Sequence, residues 1–344
     1  MGGQDRWVVV GLDNGGTSNN ATVLDGSGRF LVDRLVECPS CVHEGPGQAI
    51  EALAGALDQV LEMTGISRTR VRAVGLDTPG PVSADGVISS KGATNFSDPA
   101  WRGFDVRGAL QDRIGLPVLY NNDANAAALY AHHTYYGPAE AARRSSVSAI
   151  VGTGLGGGVI EAGRVIRGAA GMAGELGHVW IPMDGLLGLD QPVPHCNCGL
   201  DGDVESVASL TGIANNLLPY WLTRYPQHEL ARVSPVTTAA RLVRGHGEAG
   251  DEMALAIFRQ QAMAIGRLFT IAASFTDPDV YFLGGGVVET APEFREWFLA
   301  EVRQHTQLRK EQAGAATVAL VPDRDMAGAR GSAIAAREWA RFRP

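Results

Sequence analysis

Residues 7–13 form a compact apolar run that ends in an acid and glycines, and this pattern predicts a buried strand followed by a tight turn. Two further strand-like stretches, residues 21–25 and 29–36, flank Gly26, Ser27 and Gly28, so the spacing predicts a hairpin. After the punctuation of Gly45, Pro46 and Gly47, the apolar residues Ile50, Leu53, Leu57, Val60 and Leu61 recur at helical spacing. Strands are predicted at 71–76 and 116–120, and the alanine-rich stretch 124–132 reads as a helix. The layout then restarts. A strand at 146–151 runs into the glycine-rich stretch 152–158 and a new hairpin at 159–166. A long apolar helix at 251–275, a buried strand at 280–283 ending in Gly284, Gly285 and Gly286, a strand at 317–321 and a helix at 328–342 complete the chain. The alternation is that of an α/β protein, and the order of elements repeats although the sequence does not.

Composition narrows the classes. A chain of 344 residues, 45% hydrophobic and 19% charged, has enough apolar material for two domains and excludes disorder. A net charge of -8 offers no basic field for a phosphate backbone, so nucleic acid is not an expected partner. No apolar run has the length of a bilayer-spanning helix, and the first residues lack the layout of a signal peptide, so no membrane partner and a cytoplasmic location are expected. The four cysteines fall in two close pairs, Cys38 with Cys41 and Cys196 with Cys198, which fits a reducing compartment and a metal site in the second pair. No chemistry is expected of Cys38 and Cys41, and the tandem His132 and His133 read as a solvated helix end.

Three stretches carry candidate chemistry. In Asp13-Asn14-Gly15-Gly16-Thr17 the glycines let backbone N–H groups approach an anion, and Asp13 can hold a hydrated cation. Gly152 to Gly158 repeats this arrangement, with Thr153 as its hydroxyl and Gly154 as a bare donor. Two such turns at equivalent places argue for one polyphosphate. In Asn122-Asp123-Ala124-Asn125, at a strand end, Asp123 reads either as a helix N-cap or as a base that takes the proton of an attacking hydroxyl.

Together with Gly284 to Gly286, these motifs resemble the phosphate, catalytic and adenosine motifs of the superfamily of sugar kinases, heat-shock protein 70 and actin. Gly152 to Gly158 followed by Gly168, Gly174, Glu175, Gly177 and His178 resembles the ROK family signature, and Thr78-Pro79-Gly80-Pro81-Val82 its usual VPGPV segment. The likeness spans Val8 to about Arg337. It implies two ribonuclease-H-like (actin-like ATPase) α/β domains with an active-site cleft between them. Residues 1–121 would form the first, joined by the terminal helix 326–344, and residues 122–325 the second, with a zinc-site-like loop at 178–205. The resemblance makes Asp123 the catalytic base and gives Asn95, Asn122, Asp123, Glu175, His178 and Glu205 to the sugar. It places Asp13, Gly15, Gly16, Thr17, Thr153 and Gly154 on Mg2+ and the ATP phosphates, and Gly284 and Gly285 under the nucleoside. Two glycine turns and a metal suit a chain with only Lys91 and Lys310 among its 29 basic residues, because phosphoryl transfer asks mainly for positioning and charge neutralisation.

The metal motif departs from the family. ROK proteins show a histidine and three cysteines as structural zinc ligands; here His178, Cys196 and Cys198 are present, Asp203 replaces the third cysteine, and about eight extra residues, including Gly185-Leu186-Leu187-Gly188, precede Cys196. Carboxylate is a competent zinc ligand, so His178, Cys196, Cys198 and Asp203 are the expected set, with His195 as a substitute and a metal-free packed loop as the alternative. The implied activity is ATP-dependent phosphorylation of a hexose, glucose by default, by a homodimer. Ser18 where many family glucokinases carry lysine, Asp203 and the insertion mark a divergent member. Other acceptors stay open: a C7-cyclitol, an N-acetylhexosamine, fructose or allose. A repressor of this family needs a DNA-binding segment of some tens of residues before the first glycine turn, where only twelve residues stand; a non-catalytic sugar-binding protein would be expected to lose Asp13 or Asp123.

Overall fold

The computed structural model describes residues 7–80, 82–90, 96–322 and 326–342. The chain divides into two compact units: residues 1–143 with 162–173 and 322–344, and residues 144–161 with 174–321. By this division helix 123–141 groups with the first unit.

In the first unit, strands β1 (Val8–Asn14), β2 (Ser18–Asp25) and β3 (Val36–Pro39) are antiparallel neighbours, helix α1 (Pro46–Thr64) comes next, and β4 (Val71–Thr78) returns parallel to β1. Helix α2 (Val106–Ile114) leads into β5 (Val118–Asn122), parallel to β4, and helix α3 (Asp123–Ala141) leaves its end. The sheet order is β3-β2-β1-β4-β5. Strand β1 is apolar from Val8 to Leu12 because both faces are covered. On one side lie Leu53, Leu57 and Val60 of α1, all fully buried. On the other lies the terminal helix (Ala327–Arg341), whose backbone rests directly on two glycines in register, Gly11 and Gly75. A Cβ on Gly11 would stand 1.9 Å from the Ala329 carbonyl oxygen, and one on Gly75 1.9 Å from that of Ser332. The terminal helix also meets α3, where a Cβ on Gly331 would stand 1.9 Å from the Ala126 oxygen.

Two sequence expectations are corrected here. The stretch 29–36 is not a strand: after the Gly28 turn the chain bridges β2 only at Phe30 and rejoins the sheet at Val36. Its carbonyls at Val32 and Asp33 accept from Arg330 of the terminal helix instead of from a strand. His132 and His133 are buried rather than solvated, because α3 runs on past them and His132 Nε2 lies 2.8 Å from the Ala141 carbonyl.

The second unit repeats the plan. Strand β6 (Ser146–Val151) pairs antiparallel with β7 (Leu155–Glu161) and parallel with β8 (Val280–Gly285), beside which β9 (Thr317–Leu320) lies parallel. Helices α4 (Val236–Glu248), α5 (Glu252–Thr276) and α6 (Pro292–His305) pack its core, with Ile257, Ile265, Phe269 and Phe298 all fully buried. The insertion before Cys196 is part of this core: Leu186 is buried, and Gln260 of α5 donates to its carbonyl at 2.9 Å and to Gln191 Oε1 at 2.7 Å. Among the described residues no helix is long and apolar enough to cross a membrane.

Valine suits an interior strand, so Gly75→Val tests helix contact rather than strand propensity. The Ser332 carbonyl is backbone and cannot swing aside, and overpacking of this kind costs about 3 kcal/mol. Urea unfolding of the variant is expected to show a loss of that order.

Candidate active site and metal cluster

The acids of the first unit gather where β1 and β4 end. Asp13 and Asp77 are direct partners in the parallel register, so their side chains leave the sheet on the same face. Asn20 Nδ2 donates to Asp13 Oδ2 at 3.1 Å, and Ser332 Oγ to Asp77 Oδ1 at 2.8 Å. Gly328 lies against Asp13, where a Cβ would come within 2.8 Å of the carboxyl carbon. Burial raises the pKa of Asp13, opposed by hydrogen bonds from Asn20 and Asp77. Burial, and then the charge of Asp13, hold Asp77 well above the carboxylate range, with Asp123 adding to the push. Burial thus pushes both carboxyls of the pair upward, Asp77 the further, and Asp77 hydrogen-bonds to Asp13. Sequence reading missed Asp77; the signal was an acid next to last in its strand, as Asp13 is next to last in β1.

Beyond Asp13 the chain turns tightly, with Gly15 N–H donating to the Ser18 carbonyl at 2.9 Å; Gly16 is half-buried and Thr17 exposed. At the start of α3 the N-cap is Asn122, whose Oδ1 accepts from the Asn125 N–H at 2.8 Å. The N-cap is thus Asn122, and Asp123, exposed at the first helical position, accepts from the Ala124 N–H at 2.8 Å through Oδ1. Asn95 lies outside the described residues.

In the second unit only Gly152, Thr153 and Gly154 form the turn, while Gly156 to Gly158 are paired within β7. The turn is clamped from outside. The Gly152 carbonyl accepts from Leu210 N–H at 3.0 Å, the Thr153 carbonyl accepts from Thr211 N–H at 3.1 Å and Oγ1 at 2.8 Å, and Glu205 Oε2 accepts from Leu155 N–H at 2.7 Å. A Cβ on Gly154 would meet Glu205 Oε2 at 2.6 Å. Glu205 therefore braces the turn. Gly284 and Gly285 end β8, both buried; Gly285 has φ 101°, and a Cβ there would stand 1.9 Å from the Val151 carbonyl. Glycine at 285 is demanded by strand packing, whatever binds nearby.

The expected metal ligands converge. Ligand atoms of His178, Cys196, Cys198 and Asp203 all lie within 4.8 Å of one another. His178 Nδ1 is 3.0 Å from Asp203 Oδ2 and 3.9 Å from Cys196 Sγ, and Cys198 Sγ is 3.5 Å from Asp203 Oδ2. A tetrahedral zinc with bonds of about 2.0–2.3 Å spaces its ligand atoms roughly 3.3–3.8 Å apart, so the set fits such an ion. Asp203 is fully buried, and its Oδ1 accepts from Ser206 N–H at 2.8 Å, which turns Oδ2 toward the cluster. Burial works to raise its pKa, but hydrogen bonds from His178, Cys196 and Ser206 outweigh it and hold the group below its usual range. Burial pushes the Cys196 thiol far up. His195 is outside the set, exposed and paired with Asp201 at 2.7 Å. Glu175 precedes the turn Leu176–His178 and is half-buried. Glu205 Oε1 lies 3.6 Å from Cys196 Sγ, so one carboxylate links the cluster to the glycine turn.

The model of the ROK family matches residues 9–338, and the chain belongs to that family. It is 32% identical over 304 residues to a glucokinase of Halalkalibacterium halodurans, covering 88% of this chain and 85% of that protein. An N-acetylmannosamine kinase of Citrobacter koseri is 30% identical, over 86% of this chain and 87% of its own length. Among solved structures, the ROK hexokinase of Thermus thermophilus superposes with a TM-score of 0.76 at 33% identity, over 97% of this chain and 99% of that one. The ROK glucokinase of Streptomyces griseus, solved with glucose and AMPPNP, gives 0.66 at 28%, over 96% and 99%. The fold is the two-domain actin-like ATPase fold, and the protein is an ATP-binding carbohydrate kinase.

Two outcomes are expected. Asp77's folded-state pKa is raised, so unfolding releases its proton and wild-type stability falls as pH rises from about 4 through that folded value. Asp77→Asn removes this loss, and its gain in thermal midpoint over wild type is expected to be larger at pH 8 than at pH 5. For the cluster, Asp203→Ala is expected to carry less zinc than wild type by elemental analysis, and Asp203→Cys to hold zinc longer against a chelator.

Proposed function

We propose that the enzyme transfers the γ-phosphoryl group of ATP to a hydroxyl of a hexose, glucose first, with Asp123 as general base. The observation that carries this reading is the Asp123 carboxylate, exposed at the first position of α3 beside the N-cap Asn122. A carboxylate so placed accepts the proton of the attacking hydroxyl. Asn95, Asn122, Glu175, His178 and Glu205 are assigned to the sugar hydroxyls. His178 turns Nδ1 to the cluster, which leaves Nε2 as its sugar-side nitrogen. The backbone donors of Gly15, Gly16, Thr17, Thr153 and Gly154 are assigned to the phosphates, and Gly284 and Gly285 to the nucleoside.

Asp13, beside the first turn, is the residue to hold Mg2+, which would neutralise phosphate charge when bound. The cluster of His178, Cys196, Cys198 and Asp203 would hold Zn2+ in a structural role, stiffening the segment that carries His178 and Glu205. We place the enzyme in the cytoplasm, where ATP and reduced thiols coexist, as a homodimer.

A second acceptor class is favoured by the likeness to an N-acetylmannosamine kinase, which matches the chain nearly as well as the glucokinase. A cyclitol is the other alternative. ADP release coupled to a spectroscopic assay, with ATP, Mg2+ and a panel of hexoses, N-acetylhexosamines and cyclitols, separates them through kcat/KM. Glucose is expected to lead, and Asp123→Asn is expected to lower kcat by about 10²–10⁴-fold with KM little changed. An Asp123→Asn enzyme of near wild-type kcat would remove the base assignment, and a preferred acceptor other than glucose would move the substrate alone.

A further inference from the structure

Away from the residues assigned to sugar and nucleotide, the first unit holds a cavity of about 300 Å³, within the range of small-molecule sites. Two helix faces line it. The terminal helix contributes Arg330, Ile334 and Arg337, spaced i, i+4, i+7. Helix α3 contributes Tyr130, His133 and Thr134 and reaches its break at Gly137, where φ 74° and ψ 162° interrupt the helix. Phe30, in the excursion after the Gly28 turn, closes the remaining side.

The charges of this cavity are unbalanced. Among the described residues no aspartate or glutamate lines it. Arg337 is neutralised from outside by Glu338, 2.8 Å away. Arg330 has no such partner among the described residues: its guanidinium lies 4.6 Å from the centroid of Phe30 and 6.0 Å from that of Tyr130, and its bonds go to the carbonyls of Asp33 at 3.0 Å and Val32 at 3.4 Å and to the Tyr130 hydroxyl at 3.4 Å. Its Nε is buried with no acceptor. A half-buried cation with neutral partners only leaves a positive field in the space beside it. The His133 ring does not add to that charge, because burial and then its neighbour His132 pull it down to about 3. Leu24, Phe30, Pro138 and Ile334 give the remaining walls a mainly apolar face.

We propose that this cavity is a second ligand site, for a small organic anion that carries one carboxylate or phosphate group on an apolar ring. The anionic group sits by Arg330, and the ring packs between the aromatic walls. Thr134 is exposed at the helix surface and marks the mouth.

Isothermal titration of the full-length enzyme, with its nucleotide site saturated by AMPPNP and Mg2+, tests this. The probes are benzoate, phenyl phosphate, inorganic phosphate and the neutral benzyl alcohol. At least one of benzoate and phenyl phosphate is expected to bind ten-fold or more tightly than both benzyl alcohol and inorganic phosphate, and which of the two binds tells carboxylate from phosphate. Arg330→Met and Thr134→Trp are each expected to weaken that binding at least ten-fold, with sugar-dependent ADP release unchanged in Thr134→Trp. Thr134→Trp alters only a surface side chain, so it decides the matter if Arg330→Met fails to fold. No heat from either ring anion up to 10 mM (about the millimolar limit of weak binding), equal binding of benzyl alcohol, or full binding in Thr134→Trp overturns the proposal.

Discussion

The terminal helix lying backbone-to-backbone on β1 and β4 is the contact on which the first unit depends. It requires glycine at 11 and 75, because the carbonyls of Ala329 and Ser332 occupy the space of a side chain. The same helix then reaches two acids of this unit directly and the third through α3. Gly328 stands against Asp13, Ser332 hydrogen-bonds Asp77, and Gly331 sets the approach of α3, which begins at Asp123. Three acids are thereby held by one rigid element. Close packing of this kind transmits small displacements, so their mutual geometry depends on the seating of that helix.

A different economy governs the second unit. Its glycine turn is held by hydrogen bonds from Leu210 and Thr211 and by the carboxylate of Glu205, whose other oxygen faces Cys196. Glu205 thus couples the turn to the cluster of His178, Cys196, Cys198 and Asp203. Asp203, which stands in place of a thiolate, is fully buried and oriented by the Ser206 N–H. The insertion before Cys196, marked in sequence as a divergence, is tied to α5 through Gln260 and behaves as part of the core.

Much of the fold was legible because buried strands and amphipathic helices write their environment into residue type. The run of β1, the spacing of α1 and the long α5 all fall within a few residues of where the pattern placed them. The misreadings come from contacts that the local pattern of residue types does not show. Residues 29–35 carry strand-like composition, yet their carbonyls go to Arg330 some three hundred residues away. His132 and His133 look polar enough for a helix end but are covered once the terminal helix and the end of α3 close over them.

By itself the sequence determined most of the elements, the two glycine turns, the candidate base and four candidate metal ligands, since each depends on residue type at short spacing or on a motif kept in order along the chain. Only the tertiary structure decided that Asn122 is the N-cap of α3, that Asp77 hydrogen-bonds to Asp13, and that Glu205 braces the second turn. It alone exposed Arg330 as a cation without an ion-pair partner among the described residues. These outcomes rest on which side chains are brought within hydrogen-bond reach and how far water is excluded from them, and neither distance nor burial is a property of a residue's place in the chain.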